Sequence, residues 1–243
     1  MRKFRAIVFS APAVILVTIT LGAISLVCSL WDRNGRMQHR MARIWGRILL
    51  AVSFVRLEVE GADKVDPETT YVVVANHSSY MDIPVLLTAL NLQIRFFAKK
   101  GLFTIPLMGW HLSRAGHLPV VRGDARASLK SLSEGAKLIR ERAISPLLFP
   151  EGGRTPSGIR PFKEGAAYLA IKAGVPVVPV GLTNVRNVLP MHSMVLRPAT
   201  VQVHVGDPID TSKMTPHDRA RLNELLHERV IELAGDVPVP VNA

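Results

Sequence analysis

A histidine set where a strand gives way to a helix can take a proton from an alcohol at neutral pH. A carboxylate about one helical turn further on can orient its ring and stabilise the imidazolium. The run Tyr71-Val72-Val73-Val74-Ala75-Asn76-His77-Ser78-Ser79-Tyr80-Met81-Asp82 offers this pair: an apolar strand leads straight into His77, and Asp82 opens the helical stretch Ile83-Pro84-Val85-Leu86-Leu87. His77 and Asp82 are candidates for general base and orienting acid. The same residues also admit a structural reading. Ser79-x-x-Asp82 has the form of a capping box, an acid in the first turn complements the helix dipole, and His77 can serve as an ordinary turn residue.

A second candidate is the run Phe149-Pro150-Glu151-Gly152-Gly153-Arg154, again after an apolar strand. Its glycines let backbone N–H groups approach an anion, and the Arg154 guanidinium can fork onto the anion's oxygens. The alternative is a plain strand-to-loop turn with a surface arginine. Arg122 follows the run His117 to Val121 and stands at a third strand end.

These positions need a scaffold that gathers strand ends. From about Arg56, short apolar runs alternate with helical stretches, the sequence form of an α/β domain. Strands are predicted at Leu57 to Val59, Tyr71 to Ala75, Ile94 to Ala98, Leu118 to Val121, Pro146 to Phe149, Val177 to Leu182 and Thr200 to Val205. Helices are predicted near Tyr80 to Leu90, Ala125 to Glu141, Lys163 to Ala173 and Pro216 to Ala234; for the last, Thr215 and Asp218 form a capping box and Pro216 takes the first helical position. The expected fold is α/β, with a mixed, largely parallel central sheet flanked by helices and an N-terminal membrane-binding helical segment. Ligands on such sheets collect at the carboxyl ends of the strands.

The N-terminal segment is set apart by composition. Arg2, Lys3 and Arg5 precede an uncharged run from Ala6 to Trp31. As helix it would reach about 39 Å, against a hydrocarbon core of about 30 Å. A cleaved signal peptide and a buried core helix are the alternatives. Next come Arg33, Arg36, Arg40, Arg43 and Arg47, mixed with Met37, Met41, Ile44, Trp45, Ile48 and Leu49 at three- and four-residue spacing. That pattern gives an amphipathic helix with a cationic flank, either on a membrane surface or packed on the domain. Both ends of the apolar run are basic, so a single span and a helix pair dipping into one leaflet fit equally well. Two units are expected, membrane-anchoring helices at 1–56 and an α/β domain at 57–243.

Composition narrows the partners. Among 243 residues, 30 Lys and Arg stand against 19 Asp and Glu, a formal charge of +11 that favours anionic partners. Aromatic residues make up 6% and no nucleic-acid motif is present, which argues against nucleic acid. Charged residues are 20% and mean hydropathy is positive, as for a chain that meets lipid. The single cysteine, Cys28, lies in the apolar run, so the chain has neither an internal disulfide nor a cysteine metal cluster.

Taken together and in this order, the blocks resemble the glycerolipid acyltransferases, in particular the 1-acylglycerol-3-phosphate acyltransferases. The family's His-x4-Asp motif matches His77 and Asp82. Its second motif matches Gly116 and Arg122, with Pro119 at the usual aromatic or apolar position. Its third matches Phe149 to Arg154, with Gly153 in place of a hydroxyl residue, and its fourth matches the strand Val175 to Val180. Ala98-Lys99-Lys100-Gly101-Leu102-Phe103, Ile105 to Trp110 and Phe162-Lys163-x-Gly165 are similar as well, so the likeness reaches from about Val73 to Leu182.

The resemblance implies direct acyl transfer without an acyl-enzyme, from acyl-CoA or acyl carrier protein to the sn-2 hydroxyl of lysophosphatidic acid, giving phosphatidic acid. His77 would be the base and Asp82 its orienting partner. Gly116, Arg122, Phe149, Pro150, Glu151, Gly152, Gly153, Arg154, Lys100 and Lys163 would make the substrate site. No metal and no cofactor beyond the donor is implied. The protein would work among membrane lipids at the cell membrane, with its catalytic domain on the cytoplasmic face. Other acceptors, such as lyso-ornithine lipid or glycerol 3-phosphate, fit the same motifs. A non-catalytic lipid-binding membrane protein is the reading from a different class.

Overall fold

Strands that are apolar without interruption must be covered on both faces, whereas strands that alternate need cover on one. The computed structural model, which describes residues 6–32, 34–106, 108–120, 125–193 and 195–235, sorts its strands this way. β1 (Val55–Glu60), β2 (Val72–Ala75), β3 (Ile94–Lys99), β4 (Leu118–Val120), β5 (Ser145–Leu148), β6 (Val177–Thr183) and β7 (Ala199–Val205) form one sheet in the order β1-β7-β6-β2-β5-β3-β4. β6, β2, β5, β3 and β4 run parallel; β7 pairs antiparallel with β6, and β1 runs parallel to β7. Every residue of central β2 is buried, whereas β7 turns Val201, Val203 and Val205 inward and leaves Gln202 and His204 half-exposed. The expected largely parallel mixed sheet is the one observed.

Helices cover both faces. On one, α3 (Asp82–Ala89) brings Val85, Leu86 and Leu87 against Val73, Ala75, Ile94 and Leu147. On the other, α5 (Ala125–Arg142), α6 (Gly165–Ala173) and α8 (Arg219–Ala234) enclose Val72, Val74 and Val177 with Ile139, Leu169, Leu222 and Leu226. The Thr215–Asp218 capping box is present, and a 3₁₀ turn over Pro216–Asp218 leads into α8. The short helices α4 (Met108–Arg114) and α7 (Val185–Val188) were not expected, because neither is long enough to show a period.

Before the sheet come α1 (Ala11–Cys28), entered by a π turn at Ala6–Ser10, and α2 (Arg36–Val52). The two run antiparallel: Ser10 Oγ donates to Val52 O at 2.9 Å, and Trp45 Nε1 donates to Thr18 Oγ1 at 2.9 Å. α2 lies on α3 so closely that a Cβ on Gly46 would come 3.0 Å from Pro84 O, and it adds Leu50 to the core. α1 stays outermost, with Ile15, Leu16 and Ile19 exposed.

A buried polar joint fixes this pair to the sheet. The Arg95 guanidinium, 1% exposed on β3, donates to Asn34 O, Gly35 O and Ile94 O. Around it lie His39 of α2, His111 of α4 and His117 before β4; Gln38 Nε2 is 3.2 Å from His111 Nδ1, and Phe96 N–H donates to His117 Nδ1. Burial, with Arg95 adding to it, pushes His39 and His117 down to about 3, and the same burial takes Arg95 down to about 10. These histidines are neutral at pH 7. Among the described residues, no group of His, Cys, Asp or Glu is arranged to hold a metal ion.

Candidate active site

The carboxyl ends of the parallel strands make a shelf, and β2 delivers His77 onto it. Its Nδ1 is 2.7 Å from Asp82 Oδ2. That partner is a carboxylate, so Nδ1 carries the proton and Nε2 is the nitrogen left for a substrate. Asp82 is fully buried, and the same Oδ2 also accepts the N–H groups of Ser78 (2.8 Å) and Ser79 (2.9 Å). The structural and chemical readings of Asp82 thus coincide in one atom, which tightens the turn and holds the ring. The capping box forms only by half: the acid reaches back to Ser79, but Ser79 Oγ accepts from Met81 N–H and donates to Leu189 O.

β5 braces the histidine from the neighbouring strand. The Phe149 ring stacks on the His77 imidazole with centroids 4.0 Å apart. Glu151 Oε1 accepts the His77 N–H at 2.6 Å, while Oε2 accepts the N–H of Arg160 at 3.0 Å and the hydroxyl of Thr155 at 3.4 Å. Thr155 N–H in turn donates to His77 O. Burial pushes the Glu151 carboxyl up, and these hydrogen bonds oppose the shift. Glu151 therefore acts on the backbone of His77. The family resemblance had implied a place in the substrate site for it, and the direction of its side chain was not readable in advance. Asn76 continues the ladder where β2 ends, its amide pairing with both the N–H and the C=O of Leu182.

A cavity of about 860 Å³ opens beside His77. Phe97, Leu129, Leu132 and Leu148 give it apolar walls, and His77, Arg154, Lys163 and Lys99 give it polar ones. Phe149, Pro150, Gly152 and Gly153 also line it. Gly152 has φ +78°, and a Cβ there would meet Lys163 Nζ at 2.8 Å, so glycine serves both the turn and the lysine above it. The Arg154 guanidinium lies over the Tyr80 ring, 3.5 Å from its centroid, and its Nε has no hydrogen-bond partner among the described residues. At Gly153 the nearest atom to an added Cβ is Arg160 Nη1 at 4.0 Å, so the space of the missing hydroxyl residue is open.

Lys100 is exposed and does not line the cavity; its neighbour Lys99 does. Gly116, with φ +79°, sits beside Arg95 and Arg142 in the turn before β4, away from the cavity lining. Arg122 lies outside the described residues.

With this geometry in place, comparison with known proteins is decisive about kinship. Residues 56–183 match the family model described as Acyltransferase. The chain belongs to the acyltransferase family. Within that family, a chloroplastic 1-acyl-sn-glycerol-3-phosphate acyltransferase of Brassica napus is 34% identical over 211 residues, covering 85% of this chain and 60% of its own. A chloroplastic enzyme of the same name from Arabidopsis thaliana is 32% identical, over 86% of this chain and 59% of its own. The chain thus spans about three fifths of the length of these plant acyltransferases. The crystal structure of the 1-acyl-sn-glycerophosphate acyltransferase of Thermotoga maritima superposes with a TM-score of 0.77 at 26% identity, covering 96% of this chain and 98% of that one. The acyltransferase match takes in His77, Asp82 and the whole Phe149–Arg154 run.

Proposed function

We propose that this chain transfers a fatty acyl group from a thioester to the free sn-2 hydroxyl of 1-acylglycerol 3-phosphate, giving phosphatidic acid. The observation that carries the reading is the buried His77–Asp82 pair at the wall of a largely apolar cavity that also presents Arg154 and Lys163. His77 Nε2 takes the proton of the acceptor hydroxyl as its oxygen attacks the thioester carbonyl. Asp82 offsets the charge of the imidazolium. Collapse of the tetrahedral intermediate expels the thiolate, which takes the proton back from Nε2. Arg154 and Lys163 bind the acceptor phosphate, and the apolar walls take an acyl chain. The names of the plant and Thermotoga relatives support the same acceptor.

The helix pair holds the enzyme on the cytoplasmic face of a membrane. Val8–Cys28 has a mean hydropathy of 2.3 and is almost unburied, yet α1 stays hydrogen-bonded along α2. A helix lying against its domain favours insertion into one leaflet over a span. The donor is acyl-CoA or acyl carrier protein, and no metal or cofactor takes part. The open space at Gly153 favours a second reading, in which a lyso-lipid with another headgroup is the acceptor. The test offers purified protein lysophosphatidic acid, glycerol 3-phosphate and lyso-ornithine lipid, each with an acyl-CoA and an acyl carrier protein donor. Phosphatidic acid as the dominant product supports the first reading. A different acylated lipid moves the assignment to the second, and no product from any pair removes both.

A further inference from the structure

The connection from β3 to β4 exposes a run of apolar side chains. Leu102, Ile105, Met108 and Trp110 are 36%, 43%, 47% and 44% exposed. The segment is folded tightly on itself, since a Cβ on Gly109 would collide with Phe103 O at 2.0 Å, so these side chains project from a fixed turn. Four exposed large apolar side chains within nine residues of sequence mark an interaction site more often than scattered ones do.

Its position gives the patch two neighbours. It leaves the sheet at Lys99, on the edge that carries His77, and Leu102 with Leu129 forms part of the cavity wall while remaining exposed. At its other end it reaches the tip of α1: His111 Nδ1 is 3.5 Å from Ser25 Oγ, and Arg114 Nη2 donates to Leu30 O at 3.5 Å. Leu30 and Trp31 are exposed there as well. The segment therefore links the apolar surface of α1 to the cavity. Its charge is one-sided: from Ile83 to Gly123 the sequence has no acidic residue, and Lys99, Lys100 and Arg114 are exposed around the patch.

We propose that Leu102, Ile105, Met108 and Trp110 form a second membrane-docking surface, seated in the headgroup zone of an anionic leaflet so that the cavity opens into lipid. The proposal rests on the reading of the chain as a bilayer acyltransferase, and it extends the anchor beyond residues 1–56. Apolar tips with a tryptophan and flanking cations suit the interface, where the rings settle at headgroup level and the cations meet anionic lipid. A lyso-lipid could then pass from the leaflet to His77 without crossing water.

The experiment uses the full chain with Trp31→Phe and Trp45→Phe, which leaves Trp110 as the reporter, on vesicles of phosphatidylglycerol and phosphatidylcholine with brominated acyl chains. Trp110 emission should fall by about twofold or more on binding, as expected for a ring at the interface. Vesicle-bound protein with unquenched Trp110 overturns the proposal. So does a blue shift of Trp110 that follows protein concentration without vesicles, which would mean that a second copy covers the patch.

A second arm covers failure of that variant to fold. Ile105→Glu with Met108→Glu should lower turnover of vesicle-embedded acceptor by about tenfold or more, while a short-chain monomeric acceptor turns over as before. Equal turnover on both, or an equal loss on both, overturns docking. If the chain acylates none of the acceptors, the fluorescence arm still decides the surface.

Discussion

Replacing Asp82 with Asn removes one charge and little else. The Asn side-chain oxygen can keep the position of Oδ2 and go on accepting from His77 Nδ1, Ser78 N–H and Ser79 N–H. The amide nitrogen then replaces Oδ1, facing the Ser78 hydroxyl at 3.5 Å, which can accept from it. The turn should survive, with a melting temperature within a few degrees of wild type. The imidazolium formed during transfer loses its counter-charge. With charge centres about 4–5 Å apart and an effective dielectric of about 20, that attraction is about 3–4 kcal/mol. The expected fall in kcat is therefore about 10²- to 10³-fold, with the acceptor KM nearly unchanged. The assay is acyl transfer to lysophosphatidic acid at saturating donor, paired with thermal unfolding of the same preparation. A folded Asp82→Asn protein that keeps kcat within about threefold of wild type would show that the carboxylate charge does not assist transfer, and the counter-charge role would fall.

Glu151→Gln must turn an amide N–H₂ toward the N–H of either His77 or Arg160, at a cost of about 1–3 kcal/mol. Stability and kcat should drop together with little change in acceptor KM, whereas a rise in acceptor KM alone would move Glu151 to the substrate. Gly181→Ala would place a Cβ 2.3 Å from the backbone carbon of Leu233, where α8 lies on β6, so denaturant unfolding should show a loss of about 3 kcal/mol or more. An unchanged midpoint would contradict that packing. Neutral His39 and His117, held at about 3 when folded, take up protons first in the unfolded chain as pH falls below about 6.5. Stability from each is complete above that pH and declines by about 1.4 kcal/mol per pH unit down to about 3, so His117→Asn should flatten the acid limb of a melting-temperature profile.

The strands were readable as uninterrupted apolar runs or as runs of alternating apolar residues bounded by turns, and their pairing explains why His77 and Glu151, far apart in sequence, meet across β2 and β5. His77 with Asp82 was readable because both members lie in one local motif. What stayed hidden was direction. Glu151 and Arg154 share a loop, yet one turns into the protein and the other lines the cavity, and composition does not distinguish them. Lys99 and Lys100 differ only in where β3 ends. Arg95, His39, His111 and His117 come from four separate stretches, and nothing in any of them announces a common buried joint. α4 was hidden by its brevity and by Gly109, whose fit against Phe103 O is a tertiary fact.

The pairing of β1 with β7 has a further consequence for how the molecule is made. Val55 lies opposite Ala199 and Glu60 opposite His204, so about 140 residues must be synthesised after β1 before its sheet neighbour among the described residues exists. At about 5–20 residues per second, that delay is roughly 7–28 s. Through it the nascent chain holds α1 and an unpaired strand edge together. On the proposed membrane reading, a bilayer taking up α1 early would remove the more apolar of the two hazards and leave a single late event, the arrival of β7, to close the sheet.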